Sequence, residues 1–275
     1  KFTDFVCGWP LFTLLIGGGI FLFIYSRALP LRKLGMAVSS LKMKEKGEGQ
    51  VSSFQALMNT ISSTVGMGNI AGVAIALCVG GPGAIFWMWV SALLGMATKF
   101  FEGTLAIMYK GKDDKGVVQG GPMFVLTEGL GRKMRPLAVM FAFCALFSGL
   151  PVMQANQLSE SLYSVILEPL GVPESRWVFL VIGLVIGGIV SLVIFGGIKR
   201  ITQVSSKLVP IMVGFYFLMV LGIMIVYHDR LPAMFESIFE GAFCWKAGFG
   251  ALAAVALTGA RRAMFVNEAG VGTAG

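Results

Sequence analysis

The stretch NTISSTVGMGNIAGVAIALCV, residues 59–79, places three glycines and an asparagine at the centre of an apolar run long enough to cross a bilayer. Hydroxyl and amide side chains crowd its first half, whereas its second half is apolar. Unpaired backbone groups are too costly to face lipid, so an irregular segment at mid-membrane must be buried in protein or line a wet cavity. The stretch therefore predicts a membrane helix that is broken near its glycines.

The composition of the whole chain agrees with an integral membrane protein. Of its 275 residues, 56% are hydrophobic and only 13% are charged, and several apolar runs reach the roughly 20 residues that a spanning helix needs. The 37 glycines are about twice the usual share of roughly 7%, which favours close helix packing. The four cysteines form no C-x-x-C pair, so we expect neither a transition-metal site nor a disulfide framework.

Apolar runs predict an all-α membrane protein with about seven transmembrane helices in one compact bundle. Connections such as VGGPGA (79–84) leave no room for another domain. The predicted spans are residues 10–26, 54–79, 83–109, 136–158, 177–195, 208–227 and 243–260.

Positive charges alternate between the loops. Most of the 22 Lys and Arg residues follow the first, third, fifth and seventh spans. Because cytoplasmic loops carry such an excess, we expect the N-terminus outside and residue 275 in the cytoplasm. The net charge of +8 then reflects topology and anionic lipid headgroups, and not a nucleic-acid site.

Two other patterns predict local structure. In RLPAMFESIFE (230–240), apolar and acidic side chains recur at helical spacing, which is typical of a short helix lying in the outer interface. Gly183 and Gly187 in the fifth span form a G-x-x-x-G pattern, whose ordinary role is close helix packing.

A broken helix offers two poles of opposite partial charge. The half before the break ends in unpaired carbonyls, and the half after it begins with unpaired amides. Carbonyls suit a small cation and amides suit a carboxylate, so a sodium ion and an amino acid can bind side by side. Glycine packing is the alternative interpretation. A dinucleotide-binding motif is excluded, because the glycine spacing is wrong and no strand precedes it.

Polar and small residues in two other spans bear on this hypothesis. Gln154 and Asn156 are amides in a helix that we expect to pack near the broken one, where they either contact a substrate or form interhelical hydrogen bonds. Gly248 and Gly250 flank Phe249 in the seventh span. From the residues alone, packing is the favoured role for these two glycines, and a second helix opening is the alternative.

Five segments taken in order identify a family. They are STVGMGNIAG and its continuation to Tyr109 (63–109), GGPMFVLTEGLG (120–131), VMQAN (152–156), FGGIKRI (195–201) and RRAMFVNEAGVGTA (261–274). Together they resemble the alanine or glycine:cation symporter family, the sodium:alanine symporters. The family usually has Ser before the Asn of NEAGVG, where this chain has Val266.

The resemblance implies the fold of the amino acid, polyamine and organocation transporters, in which five helices precede an inverted repeat of five. Residues 1–275 would form a single transmembrane transporter domain. Within it, residues 10–26 would be an extra N-terminal helix, 54–227 the first repeat and 243–275 the incomplete start of the second. The chain begins with Lys1 and stops within a motif, so we expect an N-terminal fragment whose second repeat is truncated.

The resemblance also implies a site, which it divides among substrate, cation and helix breaks. The implied substrate-binding residues are Thr64, Gly68, Asn69, Gln154 and Phe249. The implied cation-binding residues are Gly66, Met67 and Asn69. The implied helix breaks are at Gly66, Gly68, Gly72, Gly248 and Gly250. Asn267 and Glu268 match the family signature on the cytoplasmic side, without an assigned role.

The implied function is sodium-coupled symport of small neutral amino acids, alanine or glycine, into the cytoplasm across the bacterial inner membrane. Its implied partners are the amino acid, Na⁺ as coupling ion and the lipid bilayer, with no further cofactor and no obligate protein partner. Proton-driven transporters typically place Asp, Glu or His inside the membrane. The second, fourth, fifth, sixth and seventh predicted spans contain none of these residues. Sodium is therefore favoured, and a proton-coupled transporter of the same fold is the alternative.

Three other possibilities complete the hypotheses. A channel needs a continuous polar-lined pore. A membrane enzyme needs a nucleophile with a base, or a metal cluster, and the sequence offers neither, so we expect no enzymatic activity. The third alternative is that this chain, because it lacks half of the inverted repeat, is a fragment that does not transport by itself.

Overall fold

The computed structural model describes residues 8–40, 52–112, 116, 118–148, 152–243 and 249–269. Most of these residues are helical, as the sequence predicts. The α-helices are α1 (Trp9–Tyr25), α2 (Leu29–Arg32), α3 (Leu34–Ser40), α4 (Ser53–Thr64), α5 (Met67–Gly80), α6 (Gly83–Met108), α7 (Pro122–Phe124), α8 (Arg135–Ser148), α9 (Val152–Leu162), α10 (Arg176–Ile194), α11 (Gly197–Val226), α12 (Leu231–Ala242) and α13 (Phe249–Asn267).

Short elements connect several of these helices. Strands β1 (Gly111–Lys112) and β2 (Val118–Gln119) pair antiparallel, with Gly111 opposite Gln119. The chain forms π-helical turns at Val125–Gly129 and Tyr163–Leu167 and 3₁₀ turns at Arg132–Met134 and His228–Arg230. None of these short elements follows from hydropathy, because each is too short to leave a periodic signal.

Among the described residues, three helical segments are long and apolar enough to cross a membrane: Gly83–Met108, Arg176–Ile194 and Lys199–Val226. The α4 and α5 helices qualify as a fourth span if they are taken together, and α1 is a shorter apolar helix. These segments correspond to the first, second, third, fifth and sixth predicted spans. They show a membrane-embedded protein, whereas the count of seven spans and the inverted repeat stay predictions.

Two predicted spans differ from the observed helices. The fourth, residues 136–158, coincides with α8 and α9, and residues 149–151 between them lie outside the described chain. For the seventh, predicted at 243–260, the observed helix α13 begins at Phe249 and continues to Asn267. The helix continues through Arg261 and Arg262, which follow the apolar run, and the bounds of the membrane span itself stay a prediction.

The first turn of α4 follows directly from its sequence. The Ser52 hydroxyl accepts a hydrogen bond from the Gln55 amide at 3.3 Å, and Gln55 Oε1 accepts one from the Ser52 amide at 3.1 Å. Two of the amides that a helix start leaves unpaired are thereby satisfied in a capping box. The S-x-x-Q spacing therefore fixes where α4 begins.

The chain divides into two compact units, which are residues 1–40, 68–143 and 218–275 for the first and 41–67 and 144–217 for the second. In the first unit, Ala76 of α5, Ala84 and Met88 of α6, and Ala263 of α13 form a buried cluster. Small side chains in this cluster allow the helix backbones to approach closely. The first unit is therefore a set of helices packed around α6.

Several helices of the first unit approach each other closely at glycines. A Cβ atom on Gly83 would overlap the carbonyl group of Gly241 in α12, and one on Gly259 of α13 would overlap the carbonyl oxygen of Ala84. Beside these contacts, Trp87 Nε1 donates a hydrogen bond to the Ala242 carbonyl at 3.2 Å. The helix predicted at 230–240 is thus confirmed as α12, and it packs on α6.

The second unit is packed much less. The most apolar 18-residue stretch of α10 is only 6% buried, and the same holds for Lys199–Val226, whose residues 218–226 belong to the first unit. The ordered contacts lie near the π-helical turn, where Tyr163 Oη donates to the Val172 carbonyl at 3.1 Å and the Tyr163 ring lies 5.4 Å from that of Phe179. The apolar surface of this unit is suited to lipid or to protein outside the described residues.

Candidate functional site

The apolar run quoted at the outset is interrupted at Val65 and Gly66. The α4 helix ends at Thr64, Val65 has extended backbone angles (φ −89°, ψ 100°), and α5 begins at Met67. Gly68 and Gly72 lie inside α5. Of the three glycines predicted at the break, Gly66 alone is in the interruption.

Hydroxyl groups at the end of α4 direct their protons into the helix. Thr60 Oγ1 donates to the Ala56 carbonyl at 3.0 Å, while Ser63 Oγ and Thr64 Oγ1 each donate to the Thr60 carbonyl at 2.9 Å. A hydroxyl has one proton and two lone pairs, so these oxygens can only accept further hydrogen bonds or bind a cation. The last turn of α4 is therefore rich in acceptors.

Main-chain carbonyls add to this acceptor surface. The Val65 amide donates to the Ile61 carbonyl at 2.7 Å, which forms the last backbone hydrogen bond of the α4 ladder. The last carbonyls of a helix have no intrahelical partner, and here they are those of Ser62, Ser63 and Thr64. They carry the partial negative charge of the helix end.

The α5 helix begins with donors. Its first amides, those of Met67, Gly68 and Asn69, have no carbonyl one turn earlier in the same helix. Asn69 itself is half-buried. Along the chain, two residues thus separate an acceptor-rich helix end from a donor-rich helix start.

The glycines near the interruption differ in their surroundings. A Cβ atom on Gly72 would lie 3.7 Å from Val266 Cγ2 of α13, whereas one on Gly66 would meet no atom within 4 Å in the described structure. A methyl group at position 72 would therefore make an ordinary van der Waals contact, and one at position 66 would meet open space in the described structure. Neither position needs glycine to avoid a clash with a described neighbour.

The remaining predicted site residues are dispersed along the chain. Gln154 is exposed on α9, and Gly250 is exposed in the first turn of α13. Phe249 is the first residue of α13, and the structure describes its backbone but not its side chain. Gly248 lies outside the described residues. Thr64, Gly66, Met67 and Gln154 belong to the second unit, whereas Gly68, Asn69, Gly72, Phe249 and Gly250 belong to the first. That they meet in one site stays a prediction.

The second unit contains a polar pocket that the sequence did not reveal. Its volume is about 400 Å³. The residues that line the pocket are Asn156, Glu160, Tyr163, Ser164, Glu168, Glu174 and Phe179.

The Tyr163 phenol in this pocket has a raised pKa. Burial is the larger cause, and the negative charges of Glu174 and Glu168 add to it, so the pKa lies above 10.0. Across the described residues, no group of three or more His, Cys, Asp and Glu is arranged to hold a metal.

A further contact involves the NEAG signature at the end of α13. Lys99 Nζ of α6 donates a hydrogen bond to the Glu268 carbonyl at 3.3 Å, and Glu268 has a left-handed backbone with φ +50°. A cation at a helix C-terminus stabilises the partial negative charge there. Sequence reasoning missed this contact, because Lys99 and Glu268 are 169 positions apart.

Comparisons with known proteins agree on one family. A family model described as the sodium:alanine symporter family matches residues 1–275. The sodium/alanine symporter AgcS of Methanococcus maripaludis is 41% identical over 281 residues, which cover 99% of this chain and 60% of AgcS. The putative sodium/proton-dependent alanine carrier protein YrbD of Bacillus subtilis is 39% identical over 265 residues, covering 96% and 53%.

A third relative has a different printed substrate. The probable sodium/glutamine symporter GlnT of Bacillus subtilis is 34% identical over 279 residues, which cover 99% of this chain and 56% of GlnT. This chain therefore spans between about half and three fifths of the length of these three relatives.

Proposed function

Because the chain belongs to the sodium:alanine symporter family, we propose that the protein containing it couples sodium entry to the uptake of small neutral amino acids. Symport is the activity of this family, while the coupling ion and the substrate are the content of the proposal. The observation that carries it is the interruption at Val65 and Gly66, which separates an acceptor-rich helix end from a donor-rich helix start.

Sodium is assigned to the α4 side of the interruption. Na⁺ is a hard cation, for which oxygen ligands are suited. The Thr64 hydroxyl has already donated its proton to Thr60, so its lone pairs are free to bind a cation together with the terminal carbonyls of α4. Gly66, Met67 and Asn69 would complete the cation site.

The amino acid is assigned to the α5 side. Its carboxylate would accept hydrogen bonds from the first amides of α5, including that of Gly68, where the helix dipole favours negative charge. The Asn69 side chain can both donate and accept. Thr64 and Gln154 would contact the polar groups of the substrate, and Phe249 would close over its small side chain.

The charge distribution supports sodium over a proton. Residues 53–80, which form α4, the interruption and α5, contain no Asp, Glu or His, which are the side chains that proton-driven transporters typically place inside the membrane. Moving one charge inward is worth about 2.3 kcal/mol per 100 mV of membrane potential, which would drive the uptake. Proton coupling remains the second candidate, because YrbD is named for dependence on sodium and protons.

The proposed location is the bacterial inner membrane, with several membrane crossings. Positive residues are concentrated in alternate loops, such as Lys110 and Lys112 after α6 and Lys199 and Arg200 at the start of α11. Such loops are retained in the cytoplasm. The N-terminus would therefore lie outside and residue 275 inside.

The test is uptake of labelled alanine by proteoliposomes that contain the protein, with a sodium gradient or with choline in its place. We expect saturable uptake that requires sodium. The Asn69→Ala variant should lose about ten- to a hundredfold of its transport efficiency, because a hydrogen bond to a charged group is worth about 1.5–3 kcal/mol. Gln203→Ala is the matched control, since it removes an exposed amide on α11 outside the proposed site.

Each alternative has its own outcome in this assay. Uptake driven by a pH gradient without sodium would establish proton coupling. Flux that does not saturate would indicate a channel. Unchanged uptake by Asn69→Ala would contradict the assignment of the site. Uptake by the longer protein but not by residues 1–275 alone would identify the chain as a transport-incompetent part.

A further inference from the structure

A cavity lies where α1, α6 and α13 meet within the first unit. Apolar side chains, among them Leu15 of α1 and Met264 of α13, form part of its wall, and Ser91, Thr98 and Asn267 contribute polar groups. Its volume is about 10 Å³, which is close to the roughly 10–15 Å³ that one water molecule needs. The cavity therefore has room for about one water molecule.

The three polar side chains make no hydrogen bond to any residue in the described ranges. Ser91 is only 4% exposed. Two other hydroxyls of these helices are paired with main-chain carbonyls. Thr104 donates a hydrogen bond to the Phe100 carbonyl at 2.7 Å, and Thr258 donates one to the Ala254 carbonyl at 2.8 Å. Thr98 and Asn267 are half-buried, and the polar surface that these side chains leave open in the cavity is available to a water molecule.

Neighbouring glycines show where these groups lie. A Cβ atom on Gly95 of α6 would lie 3.6 Å from Asn267 Nδ2, and one on Gly19 of α1 would lie 3.6 Å from Thr98 Oγ1. The Asn267 amide thus approaches α6, and the Thr98 hydroxyl approaches α1. Both groups lie at the helix junction that surrounds the cavity.

We propose that this cavity binds one water molecule, which bridges Ser91 and Thr98 of α6 to Asn267 of α13. A buried water typically makes about three hydrogen bonds, and three polar groups without a hydrogen-bond partner among the described residues line the cavity. A metal cation is disfavoured, because Lys99 follows Thr98 and its ammonium group reaches the Glu268 carbonyl at 3.3 Å. Like charges repel each other, so an ammonium group at the end of the helix that carries Asn267 disfavours a second cation there.

The water gives the Asn of the NEAG signature a physical role. Together with the hydrogen bond from Lys99 to Glu268, it forms a second polar link between α6 and the last turn of α13. The first link pairs a carbonyl at the helix end, and the second pairs side-chain groups that have no other hydrogen-bond partner among the described residues. Asn267 is thus a positioning residue that holds the end of α13 on α6, whether or not the proposed transport site is correct.

Radiolytic hydroxyl-radical labelling tests this proposal, because radicals formed from a bound water oxidise the side chains beside it. The experiment uses the protein in lipid nanodiscs in sodium-free choline buffer. Met264 lines the cavity and is 9% exposed, whereas Met88 lies in the apolar cluster and is 8% exposed. We expect Met264 to be oxidised several-fold faster than Met88. Equal rates for these two methionines would show a dry cavity and overturn the proposal.

Two matched variants identify the groups that hold the water. Thr98→Val keeps the side-chain shape but removes a hydroxyl from the cavity, and it should lower the oxidation of Met264 to the level of Met88. Thr104→Val removes a hydroxyl that is already paired on the same helix, and it should leave the oxidation of Met264 unchanged. Equal labelling of Met264 in the two variants would contradict the assignment of Thr98. The comparison of the two methionines in the unaltered chain needs no variant to fold.

Discussion

The α6 and α10 helices are both long, apolar and rich in small residues, yet only α6 is packed within its unit. In the most apolar 18-residue stretch of α6, 22% of the residues are buried, whereas the corresponding stretch of α10 is 6% buried. Gly83 of α6 touches the backbone of α12, while a Cβ atom on Gly183 or Gly187 of α10 would meet no described atom within 4 Å. Small residues thus permit a close helix approach, and the partner's surface determines whether one forms.

The comparison reverses the sequence-based interpretation of the glycines. G-x-x-x-G predicts close packing at Gly183 and Gly187, and the described structure contains no such contact there. Gly83 belongs to a sequence that predicts only a turn, yet a Cβ atom there would overlap the carbonyl group of Gly241 in α12. The pattern alone does not specify the partner.

The largest effect is expected for Gly83→Ala. Its added methyl group would overlap main-chain atoms of Gly241, which cannot move as a side-chain end can. Overpacking typically costs about 1–3 kcal/mol, so the thermal unfolding midpoint of the detergent-solubilised protein should fall clearly.

Gly103→Ala on the same helix is the control for this measurement. A Cβ atom at Gly103 would meet nothing within 4 Å in the described chain, so its midpoint should stay level or rise, since Ala is favoured over Gly in helices by about 0.5–1 kcal/mol. Equal midpoints for the two variants would remove the contrast between packed and open glycines.

A smaller effect of opposite sign is expected for Gly187→Ala in α10. The open space around this glycine leaves only the gain in helix propensity, about 0.5–1 kcal/mol. The same unfolding assay measures it. A loss as large as that of Gly83→Ala would mean that α10 has a close partner outside the described residues, which would restore the packing role that the sequence predicts.

The smallest effect concerns the polar pocket of the second unit and occurs only at high pH. Burial and the nearby Glu174 and Glu168 carboxylates raise the pKa of Tyr163 above 10.0, because both disfavour the phenolate. The folded protein therefore holds this proton more tightly than the unfolded chain does. The resulting stability is complete below pH 10 and is lost as the pH rises through the folded pKa.

Difference titration of phenolate absorbance between the unaltered chain and Tyr163→Phe measures this pKa. Glu174→Gln should lower it toward 10, because one of the two repelling charges is removed. A Tyr163 phenol that titrates at or below pH 10 would show that the pocket neither desolvates the ring nor concentrates negative charge beside it.

Several features were predictable because they depend on local sequence. Apolar runs located most helices, and Ser52 with Gln55 set the start of α4. Glycine and polar residues at mid-run indicated an interruption, which lies at Val65 and Gly66. The Lys99 contact with Glu268 and the cavity beside Asn267 were not predictable, because each joins residues far apart in the chain.

By itself, the sequence determined a membrane-embedded helical protein of the sodium:alanine symporter family, because hydropathy and motif order are written along the chain. Tertiary structure decided which small residues are contacts and which are open, as Gly83 and Gly66 show. It also brought Ser91, Thr98 and Asn267, from two different helices, to the wall of one cavity. The physical reason is that packing and hydrogen-bond satisfaction are properties of pairs of surfaces, which no single segment contains.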